Sequence, residues 1–185
     1  MTKAVVWITG LPACGKSTFA DVTAQALERR GIASCILDSD RVREALSPPP
    51  SHSDEGRAHF YRTLAGLASL IASQDFVAVV AATAHRAIYR ERARTRAPRF
   101  VEVYVDTPLE VCEARDPKGL YAQARAGNIT GLPGVDAVYE PPARPHVIAR
   151  EGRDEEAAQK LAELLARGGD GRGAEAGLGE GPRRG

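Results

Sequence analysis

The apolar run Ala4-Val5-Val6-Trp7-Ile8 passes straight into Gly10-Leu11-Pro12-Ala13-Cys14-Gly15-Lys16-Ser17-Thr18, a loop of the form G-x-x-x-x-G-K-[ST]. No other stretch limits the fold as tightly, because such a loop works only between a strand and a helix. Gly10 and Gly15 allow the tight turn that aims consecutive N–H groups inward at phosphate oxygens. Lys16 is spaced to reach β- and γ-phosphates, and the Ser17 hydroxyl to ligate Mg²⁺. The helix that follows adds its positive end. The loop therefore reads as an ATP grip, with Gly10 to Thr18 as its lining.

The remaining chain agrees with that start. Apolar, β-rich runs recur at Ala4–Thr9, Ala33–Leu37, Phe76–Ala82, Phe100–Val105 and His146–Ile148. Short, nearly continuous runs of this kind suit strands covered on both faces of a parallel sheet. Helical spacing appears between them, at Lys16–Arg30 with Gly31 as its stop, Glu55–Ala72 and Arg86–Thr95. A short helix is expected after Thr107-Pro108, and an amphipathic one over Asp154–Ala166. Alternation of strand and helix predicts an α/β fold, a doubly wound parallel sheet of the P-loop NTPase type. Three stretches break it. Ser47-Pro48-Pro49-Pro50-Ser51 must be a loop. Residues 116–145, rich in Gly, Pro, Lys and Arg without a clear period, read as a lid. Residues 168–185 are too poor in apolar side chains to order themselves, which leaves 1–167 as one kinase-sized domain and 168–185 as a Gly-rich tail.

Charge narrows the partners. Lys and Arg total 25 against 24 Asp and Glu, so no long-range field draws the protein to nucleic acid or an anionic membrane. No signal peptide is visible before the first strand, and no apolar stretch approaches the roughly 20 residues of a membrane helix; a cytoplasmic protein is expected. Cys14, Cys35 and Cys112 form no CxxC pair and read as reduced, buried thiols.

The second strand runs into Leu37-Asp38-Ser39-Asp40-Arg41-Val42-Arg43. Ligands of an open parallel sheet lie beyond the carboxyl ends of its strands, which places Asp38 and Asp40 beside the phosphate loop. One carboxylate there can accept a proton from an attacking hydroxyl, and the other can anchor water on the metal. Asp-Ser-Asp is also a good helix cap, and Asp40 can serve both purposes. Arg43, three residues on, suits an anionic acceptor. There is no guanine-reading N-K-x-D motif, and the third strand ends in Ala81-Ala82-Thr83 without a Walker-B aspartate. Phosphoryl transfer to a small molecule fits better than hydrolysis.

Here the residues resemble a known family, adenylyl-sulfate (APS) kinase, from about Lys3 to Arg150. The most specific match is Val101-Glu102-Val103-Tyr104-Val105-Asp106-Thr107-Pro108-Leu109, then Cys112-Glu113-Ala114-Arg115-Asp116-Pro117-Lys118-Gly119-Leu120-Tyr121, extended by Ala124-Arg125-Ala126-Gly127 and Tyr139-Glu140. The resemblance implies transfer of the γ-phosphate of MgATP to the ribose 3′-hydroxyl of adenosine 5′-phosphosulfate, giving PAPS. It implies Asp40 as the base, Asp38 as support for the metal and its waters, and Arg43 and Arg57 on the acceptor's phosphosulfate end. Lys118 would reach the phosphates from the lid and Arg115 would lie against the ATP adenine. Family members are often dimers, which makes a homodimer the expectation.

The departures fall at the acceptor. The family's D-G-D reads Asp38-Ser39-Asp40, its F-S-x-x-D-R reads His52-Ser53-Asp54-Glu55-Gly56-Arg57, and a later Asn becomes Phe60. Its G-F-T-G-I-D reads Gly131-Leu132-Pro133-Gly134-Val135-Asp136, and its I-S-P reads Ala82-Thr83-Ala84. In the family, the two replaced phenylalanines sandwich the acceptor's adenine. His52 can stack or donate a hydrogen bond, and Phe60 offers a ring from a new position. The expected acceptor site thus comprises Asp40, Arg43, His52, Arg57, Phe60, Thr83, Lys118 and Leu132. Two alternatives stay open: a kinase of the same fold for another nucleotide-like acceptor, such as cytidine diphosphoramidate, and a nucleotide-binding protein without turnover.

Overall fold

β1 (Ala4–Thr9) runs through the middle of a five-stranded, all-parallel sheet of order β2-β3-β1-β4-β5. The structure, a computed structural model, describes residues 2–167; the Gly-rich tail lies outside the described residues. The other strands are β2 (Ser34–Asp38), β3 (Val77–Ala81), β4 (Phe100–Val105) and β5 (Val147–Ala149). Every residue of β1 is buried, as a strand covered on both faces requires. Its side chains alternate between two cores. Ala4, Val6 and Ile8 pack with Phe19 and Leu27 of α1 (Lys16–Glu28) and Leu161 and Leu165 of α7 (Glu155–Arg167). Val5 and Trp7 face the other way, onto Phe60, Tyr61 and Leu64 of α3 (Asp54–Ser73) and Tyr89 of α4 (Ala87–Arg94). Each such large apolar side chain contributes about 1.5–3 kcal/mol on burial.

Local chemistry sets the element ends. α1 stops where Gly31 adopts φ 66°, and the Ile32 N–H donates to the Leu27 carbonyl at 3.0 Å. α2 (Ser39–Ala45) starts directly at the end of β2, because the Asp38 side chain accepts the Asp40 and Arg41 N–H groups. Asp154 starts α7 in the same way, accepting the Ala157 N–H at 2.9 Å. α5 (Leu109–Arg115) follows Pro108, as expected.

The stretch 116–145, which shows no clear period in the sequence, contains a helix, α6 (Leu120–Arg125), and two fastened turns. The Asp116 carboxylate accepts the Tyr121 and Ala122 N–H groups at 3.1 and 3.0 Å, so the helix is capped from four residues upstream. Tyr121 is buried and its hydroxyl donates to the Pro12 carbonyl at 2.9 Å, tying α6 to the phosphate loop. Further on, the Asp136 carboxylate accepts the Gly131 and Leu132 N–H groups at 2.6 and 2.7 Å. Glu140 ends the segment, its N–H on the His85 carbonyl and its carboxylate on the Ala87 N–H.

One charged cluster lies in the interior. Arg90 and Glu102 are 2% and 4% exposed, and they form an ion pair of 2.8 Å. Glu102 also meets Arg94 at 2.9 Å, and Arg90 donates to the Ala84 and Glu140 carbonyls at 2.6 and 2.7 Å. All three arms of Arg90 are used, which is the condition for a buried guanidinium to be tolerated.

Candidate active site

β1 lies where the strand order reverses, with β3 on one side and β4 on the other, so its carboxyl end opens into a crevice. The phosphate loop rises from that end. Gly10 is required by close approach: a Cβ there would lie 2.6 Å from Cys14 Sγ and 2.7 Å from the Val105 carbonyl. Gly15 has φ 100°, and a Cβ on it would lie 2.8 Å from the backbone of Gly152. Lys16 Nζ donates to the Leu11 and Gly10 carbonyls at 2.7 and 3.2 Å, a pose from which phosphate oxygens can draw it.

A cleft of about 610 Å³ opens beside the loop. Of the expected residues, Pro12, Ala13, Gly15, Lys16, Ser17, Thr18, Asp38, Asp40, Thr83, Arg115 and Lys118 line it. Thr83 is held there through its carbonyl, which accepts from Thr9 Oγ1 at 2.6 Å. Thr9 in turn meets the Tyr139 hydroxyl at 3.0 Å, and burial pushes the Tyr139 phenol well above its ordinary range. Glu151, Gly152 and Arg153 also line the cleft, and none of them was expected from sequence. Their signal was available: they follow the last strand at its carboxyl end, where ligands of such sheets collect. Arg115 meets Glu151 at 3.7 Å across this edge.

The two aspartates have different partners. Asp38 Oδ1 accepts the Asp40 N–H at 2.9 Å, while Oδ2 accepts the Ser17 hydroxyl. A hydroxyl and a carboxylate in contact at the mouth of a phosphate loop are hard oxygen donors that suit Mg²⁺. Asp40 Oδ2 pairs with Lys118 Nζ at 2.7 Å, and this hydrogen bond raises the Lys118 pKa above its ordinary value. Asp40 and Lys118 thus meet across the cleft, from β2–α2 on one side and the α5–α6 turn on the other.

The acceptor end departs from expectation. Phe60 does not offer its ring to the cleft: it is 1% exposed, packed with Trp7 and Leu64, and covered by the Arg43 guanidinium at 4.0 Å. Leu132 is likewise drawn into the core on the α1 side, because the Asp136 turn folds it inward. His52 remains exposed; burial on its inner side, then the Arg43 and Arg57 charges, lower its pKa. Arg57 donates to the Gly131 carbonyl at 2.8 Å, joining α3 to the turn at 131–136. Cys14 and Cys112 are buried as expected, but Cys35 on the edge strand is only half-buried. Among the described residues no helix is long and apolar enough to cross a membrane.

Comparison with known proteins agrees with this geometry. The family model described as adenylylsulphate kinase matches residues 2–150. The adenylyl-sulfate kinase of Enterobacter sp. (strain 638) is 43% identical over 145 residues, 77% of this chain and 72% of that protein. That of Citrobacter koseri is 44% identical over 146 residues, 78% of this chain and 73% of the relative. Among solved structures, the Mycobacterium tuberculosis APS kinase CysC in complex with AMPPNP and APS superposes with a TM-score of 0.82 at 38% identity, covering 89% of this chain and 98% of that one. An ATP-dependent kinase site, with Mg²⁺ as its metal, thus lies on a P-loop NTPase fold, and the chain belongs to the adenylylsulphate kinase family.

Proposed function

We propose that the cleft transfers the γ-phosphate of ATP to the ribose 3′-hydroxyl of adenosine 5′-phosphosulfate, with Asp40 as the base. The observation that carries this is the meeting of Asp40 and Lys118 at 2.7 Å beside the phosphate loop. A carboxylate there accepts the hydroxyl proton as the oxygen bonds to the γ-phosphorus; the bond to the β-phosphate bridging oxygen breaks and ADP leaves. Lys16 and Lys118 are the cations on either side of the migrating group, where a charge-dispersed transition state gains most from them. Ser17 would hold Mg²⁺ and Asp38 its waters; the ion, when bound, offsets the phosphate charge. Arg115, on the cleft wall with Glu151, is the residue for the ATP adenine.

Arg43, Arg57 and His52 would receive the acceptor, the two arginines at its phosphosulfate end and His52 at its base. One observation favours a second reading, a same-fold kinase for another nucleotide acceptor: neither Phe60 nor Leu132 leaves an apolar side chain exposed for adenine. ATP consumption measured with APS, with a cytidine diphosphoramidate and with no acceptor separates the readings. Rapid turnover with APS alone is expected; turnover confined to the cytidine compound would replace the acceptor and keep the kinase. A homodimer in the cytoplasm completes the proposal, checked by light scattering at working concentration.

A further inference from the structure

Arg43 follows Asp40 by three residues on α2, so the two side chains share a helix face, about one turn apart. An acceptor whose hydroxyl meets Asp40 and whose body follows this face would bring its anionic end within reach of Arg43. The guanidinium is held on two sides. Its Cζ lies over the Phe60 ring, 4.0 Å from the centroid, and that ring is fixed in the core of α3 and β1. Its Nη1 donates to the Pro50 and Ser51 carbonyls at 2.8 and 3.4 Å. Among the described residues, Nε and Nη2 donate to no protein acceptor, and these two form the edge that binds an oxyanion bidentately.

The carbonyls are in place because residue 56 has no side chain. A Cβ on Gly56 would lie 2.6 Å from the Ser51 carbonyl oxygen and closer still to Ser51 Oγ. Gly56 thus lets the proline-rich loop close down on the first turn of α3, and that closure presents the carbonyls to Arg43. Phe60 and Gly56 lie on the same helix, four residues apart, one under the guanidinium and one behind its carbonyl partners.

We propose that Phe60 and Gly56 are positioning residues that preorganise the Nε–Nη2 edge of Arg43 for the anionic end of the acceptor, so that this brace sets acceptor affinity. The inference rests on the APS reading above and names what in this chain tunes it. A free arginine loses side-chain entropy on binding; one already stacked and hydrogen-bonded loses less. A ring under a partly desolvated guanidinium corresponds to about a 3- to 30-fold change in affinity.

Calorimetric titration of APS into the protein with Mg²⁺ and ADP provides the test. Phe60→Leu and Gly56→Ala should each weaken APS about 3- to 30-fold and leave ADP affinity unchanged. Arg43→Ala should weaken it further, and adding Phe60→Leu to Arg43→Ala should cost less than 2-fold, since there is no guanidinium left to brace. A merely structural role for Phe60 would give equal losses in both backgrounds, and that result overturns the proposal. So do single variants within 2-fold of wild type, and so does a wild type that does not bind APS. If Phe60→Leu does not fold, Gly56→Ala with and without Arg43→Ala carries the same cycle. A wild type that binds APS without phosphorylating it removes the kinase reading and leaves the brace intact.

Discussion

Asp40 holds two positions at once. Its backbone N–H belongs to the helix cap made by Asp38, while its carboxylate, 61% exposed, belongs to the cleft. Because the cap uses the main chain only, Asp40→Asn should keep the melting temperature within a degree or two and lower kcat by about 10²–10⁴-fold. Unchanged turnover would remove Asp40 from the role of base. The aspartates were legible in sequence for a topological reason: the residue after a parallel strand must lie at the open end of the sheet. The acceptor residues were not, because facing a cleft or a core is decided by the side of the helix. Phe60, Leu64 and Ala68, spaced by four, form a core stripe, and that spacing is the signal that argued against an exposed ring at Phe60.

Short elements were the least legible. α6 has six residues, too few to show a period, and is made by the Asp116 cap and the buried Tyr121 rather than by propensity. α2 has no fully buried residue and owes its start to Asp38. The long helices and β1 were read within a residue or two, since their apolar positions are dictated by a sheet covered on both faces. The turn at 131–136 gives an acid-sensitive element. The Gly131 N–H, then that of Leu132, hold the Asp136 carboxyl below its ordinary 3.8. A lowered pKa means the contribution is complete above the ordinary value and is lost as pH falls through the lowered one. Asp136→Asn should therefore unfold at lower urea than wild type at pH 7, and the gap should close as pH falls below the ordinary 3.8. A gap that is constant with pH would show that the carboxylate charge contributes nothing.

The molecule as a whole is tied together across the sheet by the Arg90–Glu102 pair. Arg90 links β4, the loop after β3 and the segment 116–145 at Glu140. Glu102→Ala leaves that guanidinium buried without its counter-charge and should cost about 3–5 kcal/mol in chemical denaturation. A smaller loss is expected when both partners are replaced by apolar residues of similar volume, because no charge is then stranded. A single loss under about 1 kcal/mol would show that Arg94 and the carbonyls suffice without Glu102. None of this was readable beforehand: Glu102 stands in an otherwise apolar strand, and its partners come from elsewhere in the chain. The alternation of elements announced a parallel sheet, whereas its order depends on which helix covers which face.

Trp7, the only tryptophan in the chain, is fully buried on the α3 side of the sheet, beside Phe100 at 6.4 Å, and its indole Nε1 has no hydrogen-bond partner among the described residues. Such an indole emits as it would in hydrocarbon, and the emission moves to the red when water reaches it. The fluorescence of the unlabelled protein therefore reports one core only, the layer remote from α1 and α7. Circular dichroism weights both layers through their helices. Coincident denaturation curves from the two signals are what a single cooperative unit gives; a fluorescence transition that comes first would mean that the α3 layer comes away while α1 and α7 still hold the phosphate loop.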